Sequence, residues 1–205
     1  MLMKTVLYLC IILASLKFCK EPGQHELLDG DLIFQQSESS QSRAIELASH
    51  SKYGHVGIIY KAGGEYFVFE AVQPVRRTSL KDFIANGRNS HYAVKRLKNR
   101  NLLLTPEVLA RMKSEGEKFE GKNYDLYFNW SDEKIYCSEL VWKIYDRGAG
   151  IEIGKLRKLR DYDLSSQVVR EKLRERYGQN IPLNETVITP ADIINSELLE
   201  TVFEK

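Results

Sequence analysis

The chain has 205 residues, with 30 Lys and Arg against 28 Asp and Glu, and is 43% hydrophobic and 28% charged. That length suits one domain with a sizeable core and is short for two, and the composition excludes wholesale disorder. Residues 1–19 hold Lys4, Lys17 and no acid, so the remainder balances at 28 against 28, and no global charge draws it to nucleic acid or an anionic membrane. Two of the three cysteines, Cys10 and Cys19, lie in that first stretch, which excludes a disulfide scaffold.

In the opening MLMKTVLYLCIILASLKFCK, Lys4 supplies a short positive region and Val6 to Leu16 an uncharged, mostly apolar run. The pattern fits a secretory signal peptide over 1–19 and falls short of the roughly 20 residues of a membrane span. A buried helix or an anchor would share the apolarity, but polar Glu21 to Glu26 follows at once. Cys19 stands where a lipoprotein carries its lipid, although Lys17 and Phe18 precede it where small residues suit that motif better. The mature protein is expected outside the cytoplasm, periplasmic or extracellular, touching membrane only through a lipid on Cys19. Its single domain is expected over 26–205, with Cys137 as the one interior thiol.

Asp29-Gly30-Asp31 signals a turn and Leu32 to Phe34 a short strand. A Ser-rich loop then leads into a short amphipathic helix carrying Ala44, Ile45, Leu47 and Ala48. His55 to Tyr60 and Tyr66 to Val72 read as strands of a hairpin around Gly63-Gly64. Another strand is expected over Tyr92 to Leu97. Thr105 caps a helix that opens with Pro106 and runs to about Phe119, with Gly121 ending it. A second helix spans Tyr136 to Arg147, with Leu140, Val141, Ile144 and Tyr145 on one face and Gly148 beyond its end. A third is expected near Val168 to Tyr177. Strands grouped between helices give an α+β class.

Cys137 begins the second of these helices, where the dipole and free N–H groups favour a thiolate and could steady an oxyanion. A cysteine alone is more often an inert packed side chain. Among the histidines, His50 and His91 fall in polar segments, while His55 opens the strand His55-Val56-Gly57-Ile58-Ile59-Tyr60. Alternation puts His55, Gly57 and Ile59 on one face. A turn at Ala62-Gly63 would set Glu70 directly opposite His55. A turn at Gly63-Gly64 would set it diagonally on the same face, and a three-residue loop on the other face. An acid in the apolar run Tyr66 to Val72 calls for a partner. Nucleophile, base and orienting carboxylate are then Cys137, His55 and Glu70.

Several blocks resemble the YiiX/YaeF group of permuted papain-like amidases, relatives of the NlpC-type cell-wall hydrolases. They are Gly30 to Phe34, Ser51 to Gly57, Phe69 to Val72, Gly121 to Asp125, Trp130 to Asp132, Tyr136 to Glu139, Val141 to Lys143, Glu175 to Gly178 and Asn180 to Leu183. The order His55, Glu70, Cys137 fits a permutation in which the histidine strand precedes the cysteine helix. The resemblance implies a circularly permuted papain-like fold, an antiparallel sheet packed on helices, a thiol nucleophile and no metal or cofactor. Tyr124, in the Asn123-Tyr124-Asp125 block, is a candidate substrate-binding residue.

The expected activity is hydrolysis of an amide bond through an acyl-enzyme, in a peptidoglycan-derived peptide or an N-acyl amino acid. Relatives of the lecithin-retinol acyltransferase type share the order and would pass the acyl group to an amine or lipid. A non-catalytic wall-binding module would have had no need of all three residues. His50 and His55 flank Gly54 and make a poor metal pair, and one cysteine does not complete a usual zinc set. The basic stretch Lys155 to Arg160 is followed by Asp161 and Asp163 and reads as a solvated face. Tyr127, Phe128 and Trp130 read as core, and Ser138 and Glu139 as a helix start.

Overall fold

The computed structural model describes residues 26–205, so the leader over 1–19, with Cys19, lies outside the described residues. In chain order the elements are β1 (Leu32–Gln35), α1 (Ser40–Ser49), β2 (His55–Ala62), β3 (Glu65–Glu70), β4 (Arg76–Ser79), α2 (Leu80–Ala85), β5 (Tyr92–Leu97), α3 (Arg100–Leu103), α4 (Pro106–Glu117), α5 (Cys137–Ala149), β6 (Arg157–Lys158), α6 (Gln167–Tyr177), β7 (Thr186–Val187), α7 (Pro190–Ile194) and β8 (Leu199–Glu204). Six strands form one antiparallel sheet in the order β4-β3-β2-β1-β5-β8, and β6 pairs with β7 apart from it.

Alternation divides the sheet's side chains between two cores. Leu32, Phe34, Val56, Ile58 and Phe69 face Met112 of α4 and Leu140, Val141 and Ile144 of α5. Ile33, Ile59, Val68 and Val94 face the other way and are covered by Phe83 of α2. Helix α5 is buried along nearly its whole length, with Ser138, Glu139 and Lys143 buried alongside its apolar residues. The turn into β1 uses Gly30 at φ 90° and is pinned by buried Asp31, which accepts both Arg96 Nε and Arg96 Nη2 at 2.7 Å. Such a bidentate pair fixes both position and plane.

The hairpin resolves the register. Gly63 and Gly64 carry φ values of 60° and 88° and form the two-residue turn, pairing Ala62 with Glu65. The Ala62-Gly63 alternative does not occur, because Ala62 remains in the strand ladder. Strand β3 ends at Glu70 rather than Val72. The chain then turns through Pro74, which has no N–H to continue a ladder, into β4. Thr105 caps α4 as expected, accepting the Val108 N–H at 3.4 Å. Gly148 is not beyond α5 but inside it: a Cβ there would lie 2.6 Å from Met112 Cα, so glycine permits the close crossing of α4 and α5. The helix ends at Gly150, at φ 69°.

Gly57 has a comparable role in the sheet. A Cβ there would meet Val68 Cγ1 at 2.4 Å and the Phe69 carbonyl at 3.0 Å. Replacing Gly57 by Ala should destabilise the fold by about 1–3 kcal/mol through overpacking. Chemical denaturation should show a lowered midpoint at an unchanged slope; an unchanged midpoint would mean that β3 yields freely at this point.

Candidate active site

Glu70 lies directly across from Arg76 on β4, and the extrapolated hairpin register sets it diagonal to His55. Diagonal neighbours are still within reach of long side chains. The carboxylate fills the interval: Glu70 Oε2 lies 2.6 Å from His55 Nε2. Its other oxygen, Oε1, accepts the Thr78 hydroxyl at 2.5 Å. Thr78 is the diagonal neighbour on the opposite side, so Glu70 is held between two strands. The Phe83 ring stacks on the imidazole at 5.7 Å between centroids. His55, Glu70 and Thr78 are all buried.

With Nε2 engaged by Glu70, the other ring nitrogen is the one left for Cys137, which is within hydrogen-bonding reach of the imidazole. Helix α5 packs on the opposite face of the sheet, yet the two residues meet because each stands at the first position of its element. Cys137 begins α5 and His55 begins β2, so the contact forms around the strand's end. The backbone N–H groups of Val56 and Ser138 also face the sulfur. Tyr136 precedes the helix, and its N–H donates to Glu139 Oε2 at 3.4 Å. Ser138 donates to the Ile188 carbonyl at 2.8 Å. Glu139 therefore closes the helix start, while Ser138, in the same first turn, ties it to the Ile188 segment.

The electrostatics favour an ion pair. Burial alone would push the Cys137 thiol up; the His55 hydrogen bond and charge, with the two N–H groups, bring it below its ordinary value. Burial likewise works against imidazolium, but bonds to Cys137 and Glu70 outweigh it and raise His55 to about 10. Glu70 is lowered: against burial stand His55, then Thr78 and the charge of Arg76. The three shifts all run toward thiolate, imidazolium and carboxylate.

Tyr124 reaches the same place. Its hydroxyl accepts from Gln41 Nε2 at 3.0 Å, and Gln41 Oε1 accepts from Arg176 Nη2 at 2.8 Å. The amide orientation of Gln41 is thus set by Arg176. Because Gln41 donates to the phenol oxygen, the phenol proton is free to point at Cys137, with which Tyr124 also interacts. Burial, then the Cys137 charge, push the phenol well above its ordinary value and keep it a neutral donor. Thr78 and Gln41 have no sequence signal of their own and become visible only once β4 and α1 are placed, whereas Arg176 lies in the family-like block Glu175 to Gly178, which attaches no role to it. His50 and His91 are elsewhere, bonded to Asp163 at 3.2 Å and to the Lys205 carbonyl at 2.8 Å.

The family model described as permuted papain-like amidase enzyme, YaeF/YiiX, C92 family, matches residues 26–203. The uncharacterized protein YiiX of Escherichia coli (strain K12) is 45% identical over 173 residues, 84% of each chain. A crystal structure of YiiX from Escherichia coli O157:H7, titled a metalloprotein, superposes with a TM-score of 0.82 at 44% identity, covering 87% of this chain and 97% of that one. Among the described residues of this chain, no three His, Cys, Asp or Glu side chains converge in a group that could hold a metal ion. The described residues do not fit a metal centre.

The paired thiolate has a direct signature. Iodoacetamide should label Cys137 at pH 6 faster than it labels an ordinary thiol of pKa about 8.5. His55→Ala should slow labelling far more at pH 6 than at pH 9. The imidazolium lowers the thiol pKa, so its loss matters below the ordinary thiol pKa and fades above it. A uniform loss at both pH values would point to altered access instead.

Proposed function

The chain belongs to the YaeF/YiiX, C92 family of permuted papain-like amidases, and on that premise we propose that Cys137, His55 and Glu70 hydrolyse an amide bond through a thioester acyl-enzyme. The observation that carries the reading is the 2.6 Å contact between His55 Nε2 and Glu70, with Cys137 on the imidazole's other side.

In acylation, Cys137 Sγ attacks the carbonyl carbon and forms an S–C bond. The carbonyl electrons move to oxygen, toward the N–H groups at the start of α5 and the Tyr124 phenol. As the tetrahedral adduct collapses, the C–N bond breaks and imidazolium His55 gives its proton to the leaving nitrogen. His55, now neutral, takes a proton from water. The water oxygen bonds to the carbonyl carbon, the S–C bond breaks, and a carboxylic acid leaves. The protons balance, because the one given to the amine is recovered from water. Glu70 holds the ring's orientation and steadies the imidazolium throughout.

The leader pattern supports a site for this chemistry outside the cytoplasm. The mature chain should begin between about Ala14 and Glu21, read by N-terminal sequencing of native material; an intact Met1 in a cytosolic fraction would overturn export.

For the chemistry, Cys137→Ser should abolish turnover of amides and of activated esters. Wild-type protein should show, by intact mass, an adduct equal to the acyl group of a slowly deacylating ester. Glu70→Gln should fold yet lose about 10²-fold or more in kcat, since an amide bonds the ring without stabilising its charge. Thr78→Val should fall between the two. Wild-type rates in Glu70→Gln would make Glu70 a packing residue only.

A further inference from the structure

A hollow of ≈ 110 Å³ lies between the sheet and α4, beside the hairpin end of β2 and β3. None of Cys137, His55, Glu70 or Tyr124 borders it. Tyr60, on its wall, stands roughly 16 Å along β2 from His55 at a strand's rise of about 3.3 Å per residue, and its side chain faces the opposite side of the sheet.

Strand register builds its floor. Tyr60 pairs with Phe67 and Phe69 with Arg77, so these four side chains share the face toward α4. Gly116 of α4 closes the far side. A Cβ there would lie 3.1 Å from Phe69 Cε1, so glycine lets the helix backbone lie against the ring. The floor is therefore aromatic carbon, which favours a flat ring in stacked or edge contact. The volume is roughly three to four waters at about 30 Å³ each. A closed cavity of about 150 Å³ holds benzene, so this open one admits most of a phenyl ring.

Charged side chains around the floor keep unused capacity. Arg77 donates from Nη2 to Glu120 at 3.0 Å, an exposed pair that holds weakly and leaves the other guanidinium N–H groups free. Lys113 gives one ammonium hydrogen to Asp29 Oδ2 at 2.7 Å, while its Nζ lies 5.1 Å from the centroid of the Tyr60 ring. Its remaining hydrogens are free. Glu117, one turn further along α4, is exposed, and among the described residues its carboxylate has no ion pair or hydrogen bond. Tyr60 Oη is buried and has no partner among the described residues. Burial, then the charge of Asp29, push its pKa up, so it stays a protonated donor. Lys61 also borders the hollow, but its ammonium lies over the Tyr66 ring on the other sheet face.

Free donors on two cations and a free carboxylate around an aromatic floor match a ligand that carries both charges beside a ring. Lys113 and Glu117 are neighbours at i and i+4, about 5–6 Å apart at Cβ, so an ammonium and a carboxylate on one carbon can meet both. We propose that this hollow binds a free aromatic α-amino acid. Its ring rests on Phe67 and Phe69, its carboxylate accepts from Arg77 and Lys113, and its ammonium donates to Glu117. A residue at either end of a peptide lacks one of the two charges, so the arrangement selects the free amino acid. The site is separate from the Cys137 site and does not depend on the amidase reading.

Ligand-detected NMR titration reads the affinity. L-Phenylalanine should bind equally well before and after Cys137 is capped with iodoacetamide. It should bind about tenfold tighter than 3-phenylpropanoate, which lacks the ammonium, and phenethylamine, which lacks the carboxylate. L-Alanine, which lacks the ring, should bind about tenfold more weakly as well. Both Glu117 and Arg77 are exposed, so their substitution spares the core. Glu117→Gln should bring phenylalanine down to the level of 3-phenylpropanoate and leave that acid no weaker. Arg77→Gln should weaken phenylalanine and 3-phenylpropanoate about tenfold and leave phenethylamine no weaker. No saturable binding of phenylalanine, equal binding of all four compounds, or preferences that survive both variants would overturn the proposal. So would binding abolished by capping Cys137, which would move the ligand to the active site. The amide chemistry is decided separately, by the His55 dependence of labelling and by the acyl adduct.

Discussion

A thiolate and an imidazolium out of contact with bulk water are expensive unless each is bonded on every side. The Cys137–His55 pair is satisfied from several directions at once. The sulfur faces N–H groups of Val56 and Ser138, and the ring has Glu70 on Nε2 and Phe83 on its face. Glu70, itself buried, needs its second oxygen bonded, which Thr78 supplies from a third strand. Much of the architecture follows from this requirement. Strands β2, β3 and β4 must lie side by side in one register, and the start of α5 must reach the end of β2.

The first turn of α5 meets a second demand. A carboxylate one turn from the thiolate would oppose its charge, and Glu139 lies there, fully buried. Burial, which outweighs the Lys143 ammonium 2.6 Å away, pushes the Glu139 carboxyl up to about 8. Lys143 also pairs with Asp132 at 2.8 Å. Asp132 is held low first by Arg147, then by Lys143. The network ties the loop before α5 to the helix, and burial works against negative charge on Glu139 beside Cys137. It also explains an acid within an apolar helix that composition alone would leave unaccounted for.

The parts legible in the sequence were those with strong local signals. The main helices came from caps and periodicity, at Thr105 and along Leu140 to Tyr145. The hairpin came from its glycines, but two adjacent glycines after an alanine admit two turns, and only the packing of Gly57 against Val68 and Phe69 selects one. The sequence points to Gly148 as the end of α5, but glycine signals both a cap and a close helix crossing, and here it marks the crossing. Strands β4 and β8 escaped for another reason. Arg76-Arg77-Thr78-Ser79 is polar because one face borders the site and the strand lies at the sheet's edge. Leu199 to Glu204 mixes acids with apolar residues at the other edge. Edge strands carry charge as protection against pairing with other chains, which erases the apolar signature of a strand. Thr78 was lost with its strand.

The geometry also accounts for why chain order can be permuted without changing the chemistry. Cys137 and His55 are each the first residue of their element, and the groups that align them are a helix N-terminus and cross-strand neighbours. None of these contacts depends on which element comes first in the chain. What it does require is that α5 cross the sheet with its N-terminus at the start of β2, which the opposed cores on the two sheet faces enforce. Chain order instead governs what can be attached at the rim. Here the segment after α5 supplies α6 and the Ile188 stretch, which wall the Cys137 side, while β4 supplies the His55 side.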